Sequence, residues 1–75
     1  MADAKIRGMI EVFINGSSEQ FPQQISVARL LAERGLAGKR VAVERNGEIV
    51  PKSRHEETAL AAGDRIEIVV AVGGG

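Results

Sequence analysis

The sequence predicts a single-domain α+β fold: a mixed sheet of four to five strands with one main helix packed on one face. Two Asn-Gly pairs, Asn15-Gly16 and Asn46-Gly47, each separate short segments that are typical of β-hairpins. One segment, residues 26–34, carries apolar residues at helical spacing. Residues 65–72 are rich in β-branched side chains with almost no polar break, which predicts a strand in the centre of the sheet.

The length and composition predict a small domain that hydrophobic packing alone must hold together. The chain has 75 residues, 44% of them apolar, and contains no cysteine. A chain this short buries only about 60% of the surface that its unfolded form exposes, so the core is thin. Without cysteine there is no disulfide framework, and the single histidine, His55, cannot form a metal site by itself.

Charge and hydropathy argue against two classes of partner. Ten basic residues balance ten acidic ones, which leaves no surplus of Lys and Arg for binding nucleic acid. No apolar stretch approaches the ~20 residues needed to cross a membrane, and residues 1–8 lack the apolar core of a signal peptide. We therefore expect a cytoplasmic protein that is a monomer when free, with residues 1–8 as a flexible leader.

The first element in chain order is a hairpin. Residues 9–14 alternate, so that the even-numbered apolar positions face one side of the sheet while Glu11 and Phe13 face the other. Asn15-Gly16 favours a tight turn because both residues can take a positive φ. The return strand, residues 18–24, contains Pro22, which cannot donate to a ladder, so we expect it at the edge of the sheet.

The helix of residues 26–34 has a recognisable start, apolar stripe and end. Ser26 is suited to accept a hydrogen bond from a free amide of the first turn. Leu30 and Leu31 belong to the apolar stripe, and Gly35 is suited to the left-handed position that follows a helix. A helix shorter than about 12 residues is marginal alone in water, so this one requires a sheet to pack on.

The second half of the chain begins with a shorter hairpin. Its strands are predicted at residues 41–45 and 48–50, on either side of Asn46-Gly47. Residues 52–62 are mostly polar, and Leu60 is their one large apolar anchor.

The order of elements fits a β-grasp fold, in which the first and last strands are neighbours in the middle of the sheet and the helix covers one face. The domain is predicted to span residues 9–72. The residues expected in its core are all apolar and face the helix or belong to it: Ile10, Val12, Ile14, Val27, Leu30, Leu31, Val41, Val43, Leu60, Ile66, Ile68 and Val70.

No set of side chains has the spacing of a catalytic site. The four serines have no evident base partner. His55 lies in a charged stretch with Arg54, Glu56 and Glu57, where a solvated side chain is expected. No glycine-rich loop precedes a helix, so a phosphate-binding loop is not supported. We therefore predict that the chain is not an enzyme, has no catalytic residue and binds no metal or cofactor itself.

The remaining candidate is the C-terminal glycine run, Gly73, Gly74 and Gly75. Such a run can be a frayed end, but here it directly follows the predicted central strand. We expect it to be flexible, and three extended residues reach about 10 Å, enough to enter the active site of a partner. A terminal carboxylate has an ordinary pKa of about 3.5, so it is ionised at neutral pH and can attack the α-phosphate of ATP.

The chain resembles the ThiS family, the sulfur carriers of thiamine (thiazole) synthesis. The likeness covers the first hairpin at Ile14-Asn15-Gly16, the helix at residues 27–36, a distinctive middle hairpin at residues 41–51, and the last strand with its tail at residues 63–69 and 71–75. Each piece alone is weak, because other carriers and ubiquitin-like modifiers share a terminal Gly-Gly. The sequence departs from the family around His55, where relatives often have an aromatic residue.

The resemblance implies a ubiquitin-like β-grasp fold and a set of partners. An E1-like activating enzyme of the ThiF type would use ATP to adenylate Gly75, recognising Gly73 and Gly74 on the way. A cysteine desulfurase would supply the sulfur as a persulfide, and Gly75 would become a thiocarboxylate. A thiazole synthase of the ThiG type would then receive the sulfur.

Three alternatives remain at this point. A molybdopterin-type carrier shares the fold, tail and activation and differs in the sulfur acceptor. A carrier for other thiolation reactions, or a protein-conjugating modifier, would use the same terminal chemistry. A β-grasp binding module with an inert tail belongs to a different class, and the absence of a thiocarboxylate would identify it.

Strand alternation predicts a docking face for the partner enzymes on the side of the sheet opposite the helix. Its apolar centre is expected to consist of Phe13, Val69 and Ala71. Its charged rim is expected to hold three glutamates, Glu11, Glu44 and Glu67. Because Val69 and Ala71 lie just before the tail, a partner that grips this patch would also direct Gly75.

Overall fold

The computed structural model describes residues 8–71. The predicted leader, residues 1–8, therefore lies outside the described residues except for Gly8, and the predicted tail, residues 73–75, lies wholly outside them. Gly8 takes part in the first hairpin, since its carbonyl accepts a hydrogen bond from the amide of Gln23 at 2.8 Å.

The first hairpin forms as the alternation predicts. Strands β1 (Met9–Ile14) and β2 (Ser17–Pro22) are antiparallel, with Ile14 opposite Ser17 and Met9 opposite Pro22. Asn15 and Gly16 form the turn with φ angles of 49° and 88°, the positive values that a two-residue hairpin turn requires. The return strand ends at Pro22 rather than continuing to residue 24, and β2 is an edge strand, as predicted.

Helix α1 (Val27–Glu33) has the predicted start and end. The Ser26 hydroxyl accepts a hydrogen bond from the Arg29 amide at 3.0 Å. Gly35 has a φ of 75°, and the Leu36 amide donates to the Leu31 carbonyl at 2.8 Å. The C-terminal end of the helix is therefore capped by a backbone hydrogen bond.

The second hairpin and the last strand complete the chain. Strands β3 (Val41–Arg45) and β4 (Glu48–Ile49) flank a turn at Asn46 and Gly47. One turn of 3₁₀ helix (Lys52–Arg54) follows, and strand β5 (Arg65–Val70) is the last described element.

The five strands among residues 8–71 form one mixed sheet in the order β2-β1-β5-β3-β4. Strand β5 is parallel to β1 and antiparallel to β3. The first and last strands are therefore neighbours in the middle of the sheet, and the predicted β-grasp arrangement is confirmed.

The core lies on the helix side of the sheet, largely as predicted. Ile10 and Val41 are partly buried, and the prediction of Val70 is wrong because its side chain is 42% exposed. Strand β1 ends at Ile14, which pairs with Ile66. Beyond Ile66, β5 has no β1 residue beside it, so Val70 is not covered on the β1 side. The core also contains two residues that the prediction omitted, Phe21 and Ile25.

Both turn asparagines bind the backbone of β5. The Asn15 side chain accepts from the Ile68 amide at 2.8 Å and donates to the Ile68 carbonyl at 3.2 Å, so it occupies the position of a neighbouring strand. The Asn46 side chain accepts from the Arg65 amide at 2.9 Å. The turns that close the hairpins therefore also fix the central strand.

Asp64 is a buried carboxylate at the start of β5. It accepts hydrogen bonds from Arg45 Nε at 2.8 Å, Asn46 Nδ2 at 3.0 Å and the Ala61 amide at 2.8 Å. Burial acts to raise the pKa of Asp64, but the hydrogen bonds from Ala61, Asn46 and Arg45 outweigh it and hold the pKa below its ordinary value. The ionised form therefore stabilises the fold.

We expect Asp64→Asn to lower the free energy of unfolding by about 1–3 kcal/mol at pH 7, because the amide leaves the donors poorly matched. Since the folded pKa is depressed, the carboxylate contributes its full stability above the unfolded pKa and loses it as pH falls through the folded pKa. The difference in free energy of unfolding between wild type and variant should therefore become smaller below about pH 4. Urea unfolding at pH 7 and pH 3 tests this, with Glu48→Gln, at an exposed position without an ion pair among residues 8–71, as control. Equal stability of wild type and Asp64→Asn at pH 7 would contradict it.

Candidate functional site

The residues predicted to carry the chemistry, Gly73, Gly74 and Gly75, lie outside the described residues. The structure describes the chain that leads to them. The Ala71 amide donates to the Arg40 carbonyl at 2.9 Å, which continues the β3–β5 pairing one step past the end of β5. The described chain therefore ends at Ala71, at the centre of the sheet and beside the start of β3.

The sheet has one face without a helix, and the predicted docking residues lie on it. Val12, Ile14, Ile66 and Ile68 are buried towards the helix. Strand alternation therefore directs the intervening residues to the opposite side, which we call the open face. By this alternation, the six docking residues on the open face are Glu11, Phe13, Glu44, Glu67, Val69 and Ala71.

The register does not bring these residues into one patch, and the prediction of a single apolar centre is wrong. Phe13 pairs with Arg65 across the parallel β1–β5 ladder. Val69 is four residues further along β5, which places it about 13 Å from that pair. The prediction assumed only that the two strands are neighbours, whereas the register decides which residues meet. Phe13 instead lines a small surface pocket with Arg65 and Glu67.

A different apolar group surrounds Val69. Val69 pairs with Ala42, and one step along the same face Glu44 pairs with Ile49. Val69 is 62% exposed and Ile49 is 61% exposed. Ala71, two residues after Val69, lies on the same face by alternation. We call the four apolar residues of this area the tail-side patch: Ala42, Ile49, Val69 and Ala71. Sequence reasoning missed Ile49, although the two-residue Asn46-Gly47 turn fixes its position opposite Glu44.

Two glutamates lie beside the tail-side patch. Glu44 and Glu67 are direct partners in the β3–β5 ladder. Like charges directly opposite each other in a sheet are destabilising. Among residues 8–71, neither forms an ion pair within 4.0 Å. The arrangement is therefore complementary to a partner that brings basic side chains to an apolar contact.

His55 is buried, and the prediction that it is solvated is wrong. Its side chain is tied by a 3.0 Å hydrogen bond between Nε2 and the Val50 carbonyl, and its own carbonyl accepts from the Ala28 amide at 2.9 Å. These two contacts join the residue after the 3₁₀ turn to the residue after β4 and to α1. The role that the structure gives His55 is therefore in packing.

The described part of the chain holds neither a metal cluster nor a membrane-spanning helix. No three His, Asp or Glu side chains within residues 8–71 gather closely enough to bind a metal ion. No helix in the same range is long and apolar enough to cross a bilayer.

Comparison with known proteins gives consistent results. The model of the ThiS family matches residues 8–75. The chain is 43% identical over 63 residues to the sulfur carrier protein ThiS of Bacillus subtilis, covering 83% of this chain and 96% of that protein. Its structure resembles the crystal structure of the thiamine biosynthesis protein (ThiS) of Geobacter metallireducens, with a TM-score of 0.75 and 28% identity, covering 88% of this chain and 100% of that one.

The chain also matches part of a larger protein. It is 46% identical over 66 residues to a thiazole synthase of Paramagnetospirillum magneticum, covering 88% of this chain. It spans only about a fifth (20%) of the length of that synthase. In that relative, a unit similar to this chain is thus part of the same polypeptide as the rest of the synthase.

Proposed function

The chain belongs to the ThiS family of sulfur carriers for thiamine biosynthesis, and we propose that it carries sulfur as a thiocarboxylate on Gly75. The supporting observation is that the family match extends through residue 75 and so includes the whole glycine run. The resemblance to a sulfur carrier covers nearly the whole length of that relative, so the likeness is not confined to a shared fold.

The proposed chemistry takes place on the carboxylate of Gly75. An E1-like activating enzyme binds ATP, and a Gly75 carboxylate oxygen attacks the α-phosphorus, displacing pyrophosphate and forming an acyl adenylate. The outer sulfur of a cysteine persulfide, supplied by a cysteine desulfurase, attacks the acyl carbon and displaces AMP, forming an acyl disulfide. A second thiol then attacks the inner, cysteine sulfur of this disulfide, which releases Gly75 as a thiocarboxylate and leaves a cysteine disulfide. The carrier binds no ATP itself. We therefore propose that the carrier acts in the cytoplasm, where ATP is available.

The glycine run suits this chemistry for two reasons. Gly73 and Gly74 have no side chains, so the backbone can pass through a narrow channel into the partner's active site. Three extended residues reach about 10 Å beyond the sheet, enough to bring a carboxylate to a bound nucleotide. The chain therefore acts as a substrate that enzymes modify, rather than as an enzyme.

Thiazole synthase is the proposed acceptor of the sulfur. The similarity to units within two thiazole synthases, 46% and 32% identical to this chain, supports this choice. A carrier joined to its acceptor in one polypeptide delivers sulfur at a high effective concentration, and a separate carrier must instead dock.

We propose that the activating enzyme docks on the open face at the tail-side patch. The patch is apolar, exposed and adjacent to the point where the tail begins. Glu44 and Glu67 beside it are suited to basic side chains of the enzyme. An apolar centre with a charged rim is a common design of specific interfaces.

Removal of the terminal residue should stop activation. We expect deletion of Gly75, or Gly74→Val, to abolish adenylation by the activating enzyme, through loss of the correctly placed carboxylate in the first case and through bulk in the second. The fold should be unchanged, because the described core lies within residues 8–71. ATP–pyrophosphate exchange measures adenylation, and a thermal melt checks the fold. Ala62→Val, at an exposed loop position, is the control. Normal exchange with either tail variant would refute the proposal.

The docking proposal predicts an ordering of variants on the open face. Val69→Ala and Ile49→Ala should each weaken binding to the activating enzyme by about 1–2 kcal/mol, the scale of a moderate hot spot. Phe13→Ala, on the same face but about 13 Å from Val69, should change it less. Titration calorimetry gives the three affinities. If Phe13→Ala weakened binding more than the other two variants, the enzyme would bind at the Phe13 end of the open face, and the docking proposal would be wrong.

A further inference from the structure

A second surface beside the tail differs from the tail-side patch in charge. An open groove of about 550 Å³ lies between α1, residues 36–40, the 3₁₀ turn and the start of β3. Its apolar lining includes Ala28, Leu31, Leu36 and Val41. We call it the basic groove, because Lys39, Arg40 and Lys52 also line it, with Glu56 as the one carboxylate.

The three cations of the basic groove are not neutralised within the described chain. Four other arginines form ion pairs with glutamate or aspartate: Arg29, Arg34, Arg45 and Arg54. None of Lys39, Arg40 and Lys52 has a carboxylate of residues 8–71 within 4.0 Å. Because the whole chain has a net charge of zero, this concentration of positive charge is local.

The groove also borders a free strand edge. The Arg40 carbonyl accepts from the Ala71 amide on the β5 side, and the Val43 carbonyl accepts from the Val50 amide at 2.8 Å on the β4 side. Backbone groups alternate between the two edges of a strand, so the amide and carbonyl of Val41 face the β4 side as well. Strand β4 covers only Glu44 and Arg45, and no residue from 8 to 71 binds the Val41 amide or carbonyl. An unpaired edge of this kind is suited to pairing with an added strand.

We propose that the basic groove binds an extended, acidic segment of a partner protein. The segment pairs with the backbone of Val41, inserts an apolar side chain between Leu31 and Leu36, and places carboxylates near Lys39 and Lys52. This inference rests on the proposed function, in which the carrier must dock on enzymes that act on its tail. Ala71 lies at the border of the groove, so a partner bound there is held next to the start of the tail.

Charge separates this site from the tail-side patch. The patch is flanked by Glu44 and Glu67 and suits a basic partner, whereas the groove suits an acidic one. Ala42, Val69 and Ala71 line the groove as well as the open face, so the two surfaces meet beside the tail. A carrier that visits enzymes in turn can use opposite charges on adjoining surfaces to distinguish them.

Charge reversal tests the proposal with two candidate partners, the activating enzyme and thiazole synthase. Lys39→Glu with Lys52→Glu should weaken binding to at least one of them by tenfold or more, and the loss should shrink as salt is raised. Arg29→Glu with Arg54→Glu changes the net charge equally, outside the groove, and should change affinity less than threefold. In the affected complex of the wild-type carrier, hydrogen exchange at the Val41 amide should slow at least tenfold.

Each result decides the proposal. Equal affinities of the groove double variant and the control double variant for both enzymes would overturn it, and so would unchanged exchange at Val41. Loss of binding to a single-stranded DNA probe, with both enzymes unaffected, would assign the groove to a nucleic acid and overturn it as well. Failure of the proposed function would give a different result from failure of the groove proposal. The wild-type carrier would then form no thiocarboxylate with its enzymes, whatever the affinities of the groove variants.

Discussion

The pairing of β5 with both of its neighbours fixes the geometry of the described structure. Its parallel ladder to β1 and its antiparallel ladder to β3 hold the last strand in the middle of the sheet. The Asn15 side chain continues the first ladder to Ile68 after β1 has turned away, and Asn46 binds the other end of the strand at Arg65. Because the glycine run proposed to carry the sulfur comes after β5 in sequence, these contacts also hold the described chain that leads to it, up to Ala71.

The elements predicted with success depend on local chemistry. The Asn-Gly turns, the Ser26 cap and Gly35 act within a few residues, so they can be recognised from the sequence. The predictions that failed depend on contacts between distant segments. Alternation gives the face on which Phe13 and Val69 lie, but only the parallel register shows that they are far apart. His55 is buried by α1 and Val50, which its charged neighbours in sequence do not indicate.

The surface around Ala71 combines two apolar areas with opposite charges beside them. The tail-side patch is apolar with glutamates beside it, and the basic groove is apolar with lysines and an arginine around it. The two share Ala42, Val69 and Ala71. In the proposed function such surfaces matter, because the enzyme that binds them would determine which reaction Gly75 undergoes.

The central claim, that Gly75 carries the sulfur, is tested most directly by top-down mass spectrometry. The wild-type chain would be incubated with the activating enzyme, ATP, the desulfurase, cysteine and a thiol reductant, and the intact protein would then be fragmented. If Gly75 carries the sulfur, the mass should increase by the exchange of one oxygen for sulfur, only in fragments that contain Gly75 and only when ATP is present. An unchanged mass under these conditions, or sulfur located on any other residue, would contradict it.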